Sequence, residues 1–164
     1  MPRISSQKCR SGVAFLVVLS FLISSTAWPA QGSSAEVLRS LVRVKTMQHY
    51  AEMVYGVYLR NCQQANPEIE EIIARHRQGD SALYLRVDAL IAKYRVRVMQ
   101  DLGSTEANLA LGVISDEQRK VDLMLREATE RDEKLQRFEC IKEPAALAGV
   151  PSEVRAEIER LEHQ

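Results

Sequence analysis

Residues 36–62 read EVLRSLVRVKTMQHYAEMVYGVYLRNC. This stretch has no proline and one glycine, Gly56. Val37, Leu41, Val44, Met47, Ala51, Val54, Tyr58 and Cys62 recur at steps of three and four. That spacing puts them on one wide apolar stripe of a long helix. Ser33, with Glu36 three residues later, supplies a capping box at its start. Cys62 lies on the stripe, so its sulfur is expected to face the core.

Downstream, Asn66-Pro67 ends this helix and opens the next, with Asn66 as cap and Pro67 at the first helical position. Glu68, Glu70 and Glu71 suit the positive end of the new helix; Arg75 and Arg77 suit its negative end. Gly79 reads as a helix end, recapped at once by Asp80 or Ser81. Leu83, Val87, Leu90, Ile91, Tyr94, Val98 and Leu102 then carry a second stripe, closed by Gly103. Ser104 or Thr105 caps a short piece to about 114, and Ser115 with Gln118 forms another capping box. Five acid-to-base pairs at i,i+4 mark 116–139: Asp116–Lys120, Asp122–Arg126, Glu127–Arg131, Glu130–Lys134 and Glu133–Arg137. The apolar seam there is thinner: Val121, Met124, Leu125, Ala128, Leu135 and Phe138. Pro144 stops it. Pro151 opens a last helix with Val154, Ile158 and Leu161 on one face. No hairpin signal or internal repeat occurs.

The pattern predicts an all-α, up-down bundle of three long limbs and a short C-terminal helix. The limbs are expected at about 34–65, 67–102 with a bend at Gly79, and 116–139. In such a bundle the first and third limbs end at the same pole, where Cys62 and Cys140 can meet.

Upstream stands Val13–Ile23, VAFLVVLSFLI, apolar but for Ser20. Arg3, Lys8 and Arg10 precede it, and Ser24, Ser25, Thr26 and Ala27 follow. A basic start, a short apolar run and a small-residue exit describe a secretory signal peptide over 1–27. Cleavage is expected after Ala27, with Gly32 and Ala35 as competing sites. The alternative is an uncleaved signal anchor over 13–28, but a spanning helix needs roughly 20 apolar residues. Residues 28–35 then form a flexible linker and 36–164 a single helical domain. Export to a periplasmic or extracellular space makes a disulfide the simplest use of Cys62 and Cys140. Closing so long a loop contributes about 4 kcal/mol on the chain-entropy model.

The whole chain has 22 basic and 22 acidic residues. The leader removes three cations and no acid, so the remainder nets −3. Nothing in that balance calls for nucleic acid or an anionic membrane. Residues 39–100 net +4 and 101–162 net −6, which suits neighbouring helices that complement one another.

Catalytic spacing is absent. No HExxH, CxxC, GxSxG, P-loop or GxGxxG occurs. His49 and Glu52, three residues apart, could touch one metal or one proton, but a metal site needs a third ligand. No cofactor is implied. Tyr50, Tyr55 and Tyr58 cluster on the first helix, where they either line the core boundary or edge a groove. The reading is a non-enzymatic interaction or adaptor module whose partner is another envelope or extracellular protein. The alternatives are a stress chaperone of the holdase kind, and a small metal protein or enzyme using His49 and Glu52.

Overall fold

The computed structural model describes residues 32–134, Cys140 and residues 150–164. Its helices are α1 (Ser34–Cys62), α2 (Ile69–Lys134) and α3 (Ser152–Glu162). The leader lies outside the described residues, as do Leu135 and Phe138. So do residues 28–31 of the linker expected over 28–35; its last two residues, Ser34 and Ala35, are already helical.

The capping box forms as its residues dictate. The Ser33 amide donates to Glu36 Oε2 (2.9 Å), and the Glu36 amide donates to Ser33 Oγ (3.4 Å). A cut after Ala35 would remove this cap. At its other end α1 stops at Cys62, three residues before the expected boundary, and 63–65 form turns. Asn66 Oδ1 then accepts from the Glu68 amide (3.1 Å), and the next helix begins at Ile69.

α2 is continuous through Gly79, where a bend was expected, and its break falls at Gly103 (φ 73°, ψ 169°). Ser115, expected to cap a new helix, lies inside the run after that break. Gly103 divides α2 into α2a (69–102) and α2b (104–134). The ion pairs fix their directions. Lys45 meets Asp88 (2.6 Å) and Glu52 meets Arg77 (2.6 Å), so α2a runs antiparallel to α1. Arg39 reaches Glu117 (3.0 Å) and Arg60 reaches Glu133 (3.1 Å), so α2b runs parallel to α1. The chain therefore reverses at Gly103, through a left-handed residue that side chains resist. This is the expected up-down bundle of three limbs with a short C-terminal helix. The sulfurs of Cys62 and Cys140 stand at bonding distance, with their Cα atoms 5.0 Å apart.

Two apolar layers fill the bundle. The upper joins Val37, Leu38, Leu41 and Val44 of α1 to Leu83, Val87, Leu90, Tyr94 and Val98 of α2a. Ala107 and Ile114 of α2b and Val154, Ile158 and Leu161 of α3 complete it. The lower joins Tyr50, Val54, Tyr55, Tyr58 and Cys62 to Ile69, Ile73 and Leu125. α1 is buried on more than its predicted stripe, at Leu38, Val42, Tyr55 and Val57 as well. A helix touched by neighbours on several sides needs apolar residues around most of its circumference. α2b is the opposite case, with Ala107, Ile114, Leu125 and Thr129 buried and Leu109, Leu123 and Met124 each more than half exposed.

The two glycines of α2 should respond oppositely to alanine. Gly79 is helical, and a Cβ there meets nothing within 4 Å, so Gly79→Ala should stabilise the fold by about 0.5–1 kcal/mol. Gly103 holds a positive φ, so Gly103→Ala should destabilise it by about 1–2 kcal/mol. Denaturant unfolding of both variants measures the two signs; the same sign for both would contradict the placement of the reversal.

Candidate functional site

Three regions hold chemistry or exposed apolar surface that the packing of a bundle does not require. The first is a polar cluster at the level where the two core layers meet. Asp80 sits inside α2a and is only 7% exposed. Its carboxylate accepts from the Arg155 guanidinium of α3, which also donates to the Val150 carbonyl (3.1 Å). Arg77 lies 5.5 Å over the Tyr55 ring and grips Glu52 with Nε and a terminal nitrogen (3.1 and 2.6 Å). Burial, then the charges of Asp80 and Glu52, push the Tyr55 hydroxyl above its ordinary pKa of 10.0. Tyr84 is raised further by the same causes, burial first and Asp80 second. Such phenols stay protonated at neutral pH and do not supply an acid–base pair there. Asp80 and Arg155 instead latch α3 onto α2a. Arg86 continues the latch to Glu162 (2.6 Å) and holds that carboxyl below its usual range.

The second region is a cleft between α1 and α2b. It encloses about 240 Å³ and is lined by Arg39, Val42, Thr46, Met47, Ile114 and Val121, among others. Arg39 Nε lies 3.0 Å from Glu117 Oε2 yet makes no hydrogen bond. The cleft is mostly apolar and falls below the size of ordinary ligand pockets.

The third region is the outer face of α2a. Ala82, Leu85, Ala89, Ala92, Val96 and Met99 are all exposed, Leu85 at 71%, Val96 at 57% and Met99 at 39%. Their spacing is three, four, three, four, three. At 100° per residue they fall within a narrow strip, on the side of the helix opposite the buried Val87 and Tyr94. This is a heptad seam with no partner among the described residues.

The residues singled out in the sequence fare differently. Tyr50, Tyr55 and Tyr58 are each less than a tenth exposed and belong to the lower core. His49 is exposed, while the Glu52 carboxylate is engaged by Arg77 rather than by the histidine. Among the described residues, no three His, Cys, Asp or Glu side chains converge as metal ligands. Also among them, no helix is long and apolar enough to cross a membrane. Cys62 is fully buried, in keeping with its place on the stripe.

Asp80 was missed because its partner lies 75 residues away, so no local spacing announces it. The outer seam was legible in principle. α2a carries two apolar stripes, and the alanine-rich one is masked by the stronger stripe through Leu83 and Val87.

The raised tyrosines give a pH test. Stability conferred by their protonated forms is intact below pH 10 and falls as pH climbs through their shifted values. Ultraviolet absorbance titration of the protein beside its Tyr55→Phe and Tyr84→Phe variants should assign a late-ionising phenol to each of these two positions, with loss of helix as they ionise. Ionisation of either at the ordinary value of 10.0 would contradict the burial described. Comparison with protein-family models, with curated proteins and with solved structures finds no match to this chain, so the functional reading rests on its own geometry.

Proposed function

We propose that this protein is a non-enzymatic adaptor of an extracytoplasmic assembly, acting by helix docking along the outer face of α2a. The observation that carries the reading is the exposed heptad seam from Ala82 to Met99. Soluble monomers scatter single apolar side chains over their surfaces; a periodic strip of them marks a contact. The strip lies on a helix held rigidly from behind by Leu83, Val87, Leu90, Tyr94 and Val98, so it is presented without ordering cost. Export follows from the leader read in the sequence, and it gives the cysteine pair a compartment in which to stay oxidised. The ionisable groups support the same reading, since the buried Asp80 carboxylate holds Arg155 of α3 and Tyr84 lies beside that pair.

A second reading is favoured by one observation of its own. α2b exposes Leu109 at 68% and Met124 at 67% while burying few residues. A weakly held limb with apolar surface is what a holdase would release under acid stress. Suppression of client aggregation on acidification would support this reading.

The adaptor reading is tested in native, oxidised envelope extract. The wild-type protein should sediment in an assembly larger than one chain. Val96→Glu should sediment as a single chain, with its helical content unchanged. Wild-type protein that sediments as a single chain in fresh extract would overturn the reading.

A further inference from the structure

We infer that the occupant of the α2a seam is a second copy of this chain, docked antiparallel about a twofold axis beside Ala89 and Ala92. The inference rests on the reading of α2a as the docking face and goes on to name what docks there.

The seam is self-complementary in one register. Placed antiparallel, Ala89 faces Ala92 of the partner subunit, Leu85 faces the partner's Val96, and Met99 faces the partner's Ala82. Every layer thus pairs with its own symmetry copy, as a twofold interface demands. Small residues meet at the centre, where helices approach most closely, and the larger ones close the flanks. The seam spans 18 residues, about 27 Å of helix, so it packs without supercoiling the whole molecule.

Charge chooses the orientation. Asp88 and Arg95 flank the seam on the same edge. In an antiparallel pair this edge meets itself, so Asp88 reaches the partner's Arg95 and Arg95 reaches the partner's Asp88. Arg95 is exposed and has no ionic partner among the described residues. Asp88 gives one oxygen to Lys45 (2.6 Å) and has a second to offer. The opposite edge carries Arg86 and Lys93, which would approach their copies as like charges. Both are drawn off by α3. Arg86 is bound to Glu162 (2.6 Å), with Glu159 at 4.0 Å, and Lys93 donates to the Leu161 carbonyl (3.5 Å). The helix that α2a latches therefore also offsets part of the repulsion on that edge, at Arg86.

One apolar helix face is a small interface, so a reversible dimer with a Kd on the order of 10 μM is expected. Analytical ultracentrifugation of the purified, oxidised protein across that range tests it. The wild type should show a monomer–dimer equilibrium. Val96→Glu should raise the Kd by more than about tenfold, because each seam position is used twice. Val113→Glu, on the exposed side of α2b, should leave it unchanged. Arg95→Asp should weaken the dimer, and the double exchange Asp88→Arg with Arg95→Asp should restore it. Circular dichroism checks that each variant, including the double one that loses the Lys45 pair, stays helical.

A purified wild type that stays monomeric, while Val96→Glu still dissolves the assembly in extract, would overturn the second copy and leave the docking face standing. A dimer indifferent to Val96→Glu would overturn both. A dimer that the double exchange fails to restore would overturn the antiparallel register.

Discussion

The structure depends on one reversal and one closure. α1 and α2b run parallel, and two parallel helices in one chain need a return limb between them. α2a is that limb. Gly103 turns it back with a single left-handed residue. The two arms of α2 have nearly equal lengths, about 50 and 45 Å at helical rise. The chain therefore comes back to the pole it left, and Cys140 arrives beside Cys62. If either arm were a few turns longer, the sulfurs could not meet.

Ion pairs set how the limbs slide against one another. The cationic residues of 39–100 meet the acidic residues of 101–162 at Arg39–Glu117, Arg60–Glu133, Arg86–Glu162 and Asp80–Arg155, the last with its sign reversed. Apart from buried Asp80, these groups lie near the surface, where each pair is worth about 0–1 kcal/mol. They choose register more than they hold the fold. The holding falls to residues such as Leu41, Ile158 and Leu161, each fully buried and worth about 1.5–3 kcal/mol. Glu133 illustrates the choice: it accepts from Arg60 and Asn61 across the bundle, while Arg137, its expected partner along the helix, lies outside the described residues.

Much of this was legible in the residues. The apolar stripes of α1, α2a and α3, the Ser33–Glu36 cap and the meeting of Cys62 with Cys140 all follow from spacing and reach. What was not legible turned on equivalence. Gly79 and Gly103 look alike in sequence, each followed by a residue able to cap a helix. Only packing decides that Gly79 stays helical, because Asp80 must remain in α2a to meet Arg155. The tyrosines of α1 were ambiguous for a similar reason. Periodicity places Tyr55 off the main stripe, yet α1 has neighbours on that side too, so the ring is buried. The outer seam of α2a was overlooked because alanine scores weakly beside leucine and valine. Its meaning appears only once the opposite face of the helix is seen to be full.

A helical reversal brings two distant cysteines to one pole and fixes the frame on which α2a is displayed. Peptide mapping of the unreduced protein by mass spectrometry tests it most directly. One cross-linked species should join the peptide of Cys62 to that of Cys140 within a single chain, and reduction should separate the two. Free thiols at both positions, or a cross-link between chains, would contradict it.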